Sequence, residues 1–135
     1  MPADFLDTNV LIYLLSGDAA KAERAEALLR EDAVISVQVL NELANVLRRK
    51  LNFLWDEMSA FLEDILALAQ IVPLDVDVHR EGLRISRRYG LSIYDAMIVG
   101  AARAAECETL WSEDMHDGLV VDEKIVVRNP FKVPD

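Results

Sequence analysis

The sequence predicts an α/β fold, a three-layer sandwich in which a mostly parallel sheet of about five strands is flanked by helices. Short apolar segments alternate along the chain with longer segments whose apolar residues recur at helical spacing. No tight-turn signal joins neighbouring strands, so we expect right-handed crossovers, which make the strands parallel and cover both faces of the sheet with helices.

The first half of the chain contains residues that typically begin or end helices. Asp7-Thr8-Asn9, Asp18 and Ser36 provide N-terminal caps, and Ser16-Gly17 interrupts the first helical pattern. The last two helices of this half form an antiparallel hairpin from Val37 to Gln70 because only a short connection, 52–54, separates them. The predicted elements are strand 4–6, helix 8–15, helix 18–31, strand 33–36, helix 36–51 and helix 55–70.

The second half continues the alternation. Pro73 indicates that the third strand lies toward an edge of the sheet, because proline cannot donate to a central ladder. Asp75 and Ser92 cap the next two helices, and Gly90 ends the first of them. The predicted elements are strand 71–74, helix 75–89, helix 92–106, strand 109–111 and strand 124–127.

Length and composition fit a single domain covering 1–135. The chain has 135 residues, of which 53% are hydrophobic, enough for one core. A single cysteine, Cys107, cannot form an internal disulfide, and no Cys/His pairs have zinc-site spacing. The first residues lack the basic segment of a signal peptide, and the longest apolar run, 96–102, is too short to span a bilayer. We therefore expect a cytoplasmic protein with no membrane attachment.

The charge of the chain does not identify its partner. A net charge of −10 repels a polyanion at long range, yet an excess of acid is also a means of binding cations. Basic residues are concentrated in two short stretches, 48–50 and 80–88. Nucleic acid therefore remains a possible partner.

Four acidic residues in separate segments are expected to meet at one edge of the sheet. Asp7 and Asp114 follow the ends of strands, where the reactive crevice of such sheets lies. Glu42 is in the helix after the second strand, and Asp95 is in the first turn of the helix before the fourth. Carboxylates held close together need cations, and an oxygen-only site suits Mg²⁺ or Mn²⁺, which support phosphodiester hydrolysis.

Each acid also has a simpler interpretation. Asp7 fits a helix cap, Asp114 fits a polar turn, and Glu42 fits a boundary residue paired with Arg49. Asp95 completes a capping box begun by Ser92. The residues after Asp95 are apolar on every helix face, however, so Asp95 should be partly buried and should need a partner.

Four segments together resemble the PIN domain, and more narrowly the VapC-type toxins of toxin–antitoxin pairs. They are Asp7-Thr8-Asn9-Val10-Leu11, Asn41-Glu42-Leu43, Tyr94-Asp95-Ala96 with the Ala-rich helix after it, and Ser112-Glu113-Asp114. The resemblance implies a Mg²⁺- or Mn²⁺-dependent endoribonuclease that forms homodimers and is inhibited by a cognate antitoxin.

The resemblance carries the catalytic and metal-binding roles onto Asp7, Glu42, Asp95 and Asp114. Asp117 competes with Asp114 for the fourth role because three acids crowd this turn. Asn9 and Ser112 are expected to hold the carboxylates in place as hydrogen-bond donors.

An acidic protein needs local basic residues to hold RNA. The candidates for RNA binding are Arg48, Arg49, Lys50, Arg84 and Arg88. A solvated face paired with nearby acids explains them equally well. The helical hairpin from Val37 to Gln70, with 53–55 at its turn, is the candidate surface for the antitoxin.

Two alternatives remain. A phosphotransferase of the haloacid-dehalogenase type also has an aspartate after its first strand, but it needs a second acid where Asn9 stands. The other alternative is a catalytically silent PIN fold that only binds protein or RNA, and the intact acids argue against it.

Overall fold

The computed structural model describes residues 3–132, which form one mixed sheet covered by helices on both faces. Its strands are β1 (Phe5–Leu6), β2 (Val34–Ser36), β3 (Gln70–Val72), β4 (Thr109–Trp111), β5 (Val120–Val121) and β6 (Ile125–Arg128). The strand order is β3-β2-β1-β4-β6-β5, and every neighbouring pair is parallel except β5 and β6. The α/β fold class is confirmed, with one strand more than expected.

The helices begin at the caps that the sequence predicts. Asp18, Ser36, Asp75 and Ser92 each accept a hydrogen bond from a backbone N–H in the first turn. Gly90 ends its helix in the left-handed conformation, with φ of 70°. The helices are α1 (Thr8–Ile12), α2 (Ala19–Leu29), α3 (Val37–Arg49), α4 (Trp55–Leu68), α5 (Val76–Tyr89) and α6 (Ile93–Ala104), with a 3₁₀ helix at Tyr13–Leu15.

The expectation that no hairpin occurs is wrong. Strands β5 and β6 are antiparallel, and residues 122–124 connect them through a tight turn closed by a hydrogen bond from Lys124 N to Val121 O of 3.0 Å. Both central residues, Asp122 and Glu123, have positive φ, a conformation that such turns require and that usually selects glycine or asparagine. The sequence therefore lacks the glycine or asparagine by which such a turn is usually recognised.

The central position of α6 is confirmed. All seven residues from Ala96 to Ala102 are buried, and α6 packs against α5, α3 and β2. A close approach between helices allows this packing, because a Cβ added at Gly100 would lie 3.2 Å from Gly82 N and 3.3 Å from Val78 O. Asp95, at the start of α6, is partly buried, as predicted.

The register of the sheet brings two strand ends together. Leu6, the last residue of β1, pairs with Trp111, the last residue of β4. Asp7 and Ser112 therefore leave the sheet side by side at its carboxyl edge. The predicted edge position of the third strand is also confirmed, since β3 ends one side of the sheet and Pro73 follows it. No helix within residues 3–132 is long and apolar enough to cross a bilayer.

Candidate active site

Asp7 is the most buried of the four acids, with 3% of its surface exposed. It follows β1 and caps α1, where its carboxylate accepts a hydrogen bond from Thr8 N at 2.7 Å. The hydroxyl of Ser112 donates to its other oxygen at 2.7 Å, and the amide of Asn9 donates to the same oxygen at 3.1 Å. The helix-cap interpretation of Asp7 is therefore correct, yet it describes only one of these contacts.

Asn9 joins the two strand-end segments. Its Nδ2 donates to Asp114 Oδ2 at 3.2 Å as well as to Asp7, and its Oδ1 accepts from Glu113 N at 2.9 Å. Ser112 supports the same loop, because its Oγ accepts from Met115 N at 3.1 Å. The structure thus brings together Asp7, Asp114 and the two polar residues expected to hold them.

Glu42 reaches the same edge from α3. Its Oε1 accepts from Thr8 Oγ1 at 3.1 Å, and its Oε2 accepts from Gln38 Nε2 at 2.9 Å. The alternative pairing with Arg49 is wrong, because Glu42 forms no ion pair within residues 3–132. Thr8 links the two acids, because its backbone N donates to Asp7 and its hydroxyl donates to Glu42.

Asp95 faces Glu42 across a cleft of about 430 Å³. Its backbone N donates to Ser92 Oγ at 3.2 Å, which is one half of the capping box that the sequence predicts. Burial raises the pKa of the Asp95 carboxyl, hydrogen bonding of the carboxyl with the Ser92 side chain lowers it, and the negative charge of Asp114 raises it further. The two acids of helices α3 and α6 therefore lie beside the two acids that follow strands.

Burial dominates the electrostatics of Asp7. Burial raises the pKa of Asp7 to about 6, and the charges of Glu42 and Asp95 act in the same direction. Hydrogen bonds from Ser112 and Thr8 oppose the rise without cancelling it. A carboxyl group in this position is protonated more readily than an exposed one, and a nearby cation would offset the cost of burying its charge.

Asp117 has a different environment. Its carboxylate accepts from Asn129 N at 2.9 Å and pairs with Lys132 Nζ at 3.0 Å, and these contacts lower its pKa. By contrast, Asp7, Glu42, Asp95 and Asp114 pair with no Lys, Arg or His side chain in the described part of the chain. The structure therefore separates Asp117 from the four acids that lack a basic partner.

The donor set fits a hard divalent cation. Its donors are carboxylate oxygens, and the described residues place no Lys, Arg or His in an ion pair with them. Within residues 3–132, no three His, Cys, Asp or Glu side chains converge closely enough to enclose an ion by themselves. Mg²⁺ is usually bound by one or two carboxylates and retains several waters, so an open arrangement of this kind suits it.

Sequence reasoning missed two polar residues and one basic residue near these acids. Thr8 and Gln38 donate to Glu42, and the position of Gln38 four residues before Glu42 was a signal for their contact.

The basic residue is Lys21. Its Nζ lies 3.6 Å from Glu113 and donates to Tyr13 OH at 3.3 Å. No local pattern indicates the contact between Lys21 and Glu113, since these residues are far apart in sequence.

The five basic candidates lie in varied surroundings. Arg48 is 4.5 Å from the centre of the Trp55 ring and donates to the Phe53 carbonyl, and Arg88 lies 5.5 Å from the centre of the Tyr89 ring.

The other three candidates differ in ion pairing. Arg84 pairs with Glu81 at 2.8 Å and with Asp122. Arg49 and Lys50 are exposed and form no ion pair within the described residues. None of the five hydrogen-bonds to the four acids in that range.

This chain is similar to a known family in sequence and to solved structures in fold. The family model of the PIN domain matches residues 5–116. The chain is similar in structure to a toxin–antitoxin complex from Klebsiella pneumoniae, with 21% identity and a TM-score of 0.73 over 96% of this chain and 99% of the other. No match was found among curated protein sequences.

Two further structures have a similar fold. DNA-bound VapBC from Salmonella typhimurium has 19% identity and a TM-score of 0.71 over 96% of this chain and 99% of the other. VapC20 from Mycobacterium tuberculosis, a toxin that cleaves the sarcin–ricin loop, has 18% identity and a TM-score of 0.66 over 82% of this chain and 89% of the other. At these identities the similarity is one of fold.

Proposed function

The chain belongs to the PIN domain family, and on this basis we propose that it is a metal-dependent endoribonuclease, the toxin of a toxin–antitoxin pair. The observation that carries the proposal is a set of four acids at the carboxyl edge of the sheet that have no basic partner within residues 3–132: Asp7, Glu42, Asp95 and Asp114. A purely structural set of acids would be expected to acquire counter-charges, as Asp117 and Asp122 do.

Asp7 and Asp95 are the proposed central ligands of Mg²⁺ or Mn²⁺. When bound, the ion lowers the pKa of a bound water and stabilises negative charge on the phosphate and on the leaving oxygen. Glu42 and Asp114 serve as outer ligands or orient the attacking water. The burial of Asp7 beside other acids supports this assignment, because a cation would offset both the burial of the Asp7 charge and its repulsion by Glu42 and Asp95.

The neighbouring polar residues have a positioning role in this proposal. Asn9 and Ser112 both donate to one Asp7 oxygen and Thr8 N donates to the other, which restricts rotation of the carboxylate and leaves one lone pair of the second oxygen for a cation. Thr8 and Gln38 restrain Glu42, since each donates to one of its carboxylate oxygens.

Asp114 is the proposed fourth acid rather than Asp117. Asn9 links Asp114 to Asp7, while Lys132 forms an ion pair with Asp117.

A protein partner follows from the same proposal. Two of the similar structures are a toxin–antitoxin complex and a VapBC assembly. In this chain the turn between α3 and α4 exposes 67% of Leu54 and 65% of Trp55, an apolar surface on the helical hairpin expected to bind the antitoxin. The proposed assembly is a homodimer of this chain inhibited by a cognate antitoxin.

Metal removal and restoration test the proposal. Purified protein is treated with EDTA, exchanged into metal-free buffer, and incubated with single-stranded RNA before and after addition of Mg²⁺ or Mn²⁺. We expect cleavage to disappear with EDTA and to return with either ion, and Ca²⁺ at the same concentration controls for charge screening. Cleavage that persists in metal-free buffer would contradict the proposed metal dependence.

A further inference from the structure

The cleft between Glu42 and Asp95 has a lining that the carboxylates alone do not explain. It has a volume of about 430 Å³ and contains three amide side chains and an aromatic ring in addition to the two acids. Among the described residues, no Lys, Arg or His contributes to this lining. The lining residues are Gln38, Asn41, Glu42, Asn45, Tyr94 and Asp95.

Two of the amides are free to bind a ligand. Asn41 and Asn45 are four residues apart on α3, so they lie on one face of the helix, and both are exposed. Neither side chain forms a hydrogen bond with another described residue, whereas Gln38 is engaged with Glu42. Each free amide offers both a donor and an acceptor, the groups that read the edge of a nucleobase.

The aromatic ring is unusually open to solvent. Tyr94 exposes 68% of its surface although it immediately precedes the partly buried Asp95. It also borders an adjacent cavity of about 560 Å³ whose lining includes Ile93 and Met97. An exposed ring beside free amides is the combination by which proteins bind unpaired bases, through stacking on the ring and hydrogen bonds to the base edge.

We propose that this cleft is a subsite for one unpaired nucleobase of RNA, stacked on Tyr94 and hydrogen-bonded by Asn41 and Asn45. The inference rests on the proposed function, because it assigns part of an RNA substrate to the space beside the carboxylates. Away from the two carboxylates and the cation proposed to bind there, a phosphate group does not suit the cleft, since its described lining contains no Lys, Arg or His. The subsite holds a base adjacent to the cleaved phosphodiester and thereby favours particular bases at that position.

Binding of intact RNA tests the stacking contact. The Asp7→Asn background is used so that the RNA remains uncleaved, and affinity for a short labelled single-stranded RNA is measured by fluorescence anisotropy. Adding Tyr94→Ala should weaken binding about 5- to 100-fold, the range expected for loss of one base–aromatic stack. Tyr94→Phe keeps the ring and should retain most of the affinity. Ile93→Ala, a neighbouring exposed apolar residue outside the cleft, is the matched control.

Cleavage tests the amide contacts. Wild-type protein and the Asn41→Ala and Asn45→Ala variants are compared on RNAs that differ in one base near the cleavage site. We expect the wild type to prefer one or two bases, and each variant to reduce that preference about 5- to 100-fold. Equal loss of cleavage on every RNA, with the preference intact, would show that the amides do not contact the base.

The outcomes distinguish this subsite from the proposed function. RNA affinity that depends on the Tyr94 ring supports the subsite whether or not the wild type cleaves RNA. Unchanged affinity of Tyr94→Ala overturns the subsite, while metal-dependent cleavage by the wild type still supports the ribonuclease. Equal weakening by Tyr94→Ala and Ile93→Ala, with a changed elution volume in size-exclusion chromatography, would assign this surface to a protein contact and overturn the subsite.

Discussion

The side-chain amide of Asn9 lies 3.2 Å from a carboxylate oxygen of Asp114, which joins two segments 105 residues apart in sequence. The same amide donates to Asp7 at 3.1 Å. Asn9 therefore fixes the separation of two acids that would otherwise repel each other. Its role in the account is to position the carboxylates rather than to take part in the chemistry.

Removal of this amide should weaken metal binding. Asn9→Ala leaves Asp7 and Asp114 without their common donor, and loss of such a contact typically lowers metal affinity about 10- to 100-fold. The measurement is the Mn²⁺ concentration that gives half-maximal RNA cleavage. Asn129→Ala is the control, because Asn129 contacts Phe131 and Asp117 instead. An unchanged Mn²⁺ requirement in Asn9→Ala would contradict the positioning role.

The two acids of the loop after β4 should differ sharply in their effect on cleavage. We expect Asp114→Asn to reduce the rate at least about 100-fold, as expected for loss of a group that binds the cation or orients water. Asp117→Asn should stay within about threefold of the wild type, since it breaks only an exposed ion pair with Lys132. The reverse order of effects would assign the fourth role to Asp117.

The buried charge of Asp7 should make the metal-free fold sensitive to pH. The folded-state pKa is about 6 and the ordinary value is 3.8, so the folded protein holds its proton more tightly than the unfolded chain. Stability therefore falls as pH rises between about 4 and 6, and the loss persists at neutral pH. Asp7→Asn cannot ionise, so in EDTA at neutral pH its free energy of unfolding should be about 1–3 kcal/mol higher than that of the wild type. Urea unfolding measures this difference.

A second part of this measurement uses the metal. Mn²⁺ should raise the free energy of unfolding of the wild type, because it binds only the folded state, and should have little effect on Asp7→Asn. Lower stability of Asp7→Asn than of the wild type in EDTA would mean that hydrogen bonding to the carboxylate outweighs its burial cost.

Salt dependence should separate the basic candidates for RNA binding. Arg49 is exposed without an ion pair in the described residues, so Arg49→Gln should lower the slope of log affinity against log salt concentration by up to about 1. Arg84 is engaged by Glu81 and Asp122, so Arg84→Gln should mainly lower the unfolding free energy. Equal slopes for the wild type and Arg49→Gln would remove Arg49 from the RNA path.

Much of the fold was predictable because local signals agree with the tertiary structure. The caps at Asp18 and Asp75 begin helices as expected, and the glycine at position 90 ends one. The β5–β6 hairpin was missed because β5 has only two residues and the turn uses Asp122 and Glu123 at positive φ instead of glycine. Tertiary contacts stabilise that turn, since Arg84 and Arg103 both pair with Asp122.

The site was predictable only in outline. Parallel strands deliver their carboxyl ends to one edge, which is why acids after β1 and β4 could be expected to meet. The contacts that arrange them, from Asn9 to Asp114 and from Thr8 to Glu42, join distant segments and have no local signature. The environment of Asp117 likewise depends on Lys132 and Asn129, which the local sequence does not reveal.

The most direct test of the account is the single-turnover cleavage rate of single-stranded RNA in Mn²⁺ by the wild type, Asp7→Asn and Asp95→Asn. Circular dichroism would first establish that each variant is folded. We expect metal-dependent cleavage by the wild type and a loss of at least about 100-fold in each variant. Cleavage that continues at the wild-type rate in both variants would contradict it, because no chemistry would then depend on the carboxylate cluster.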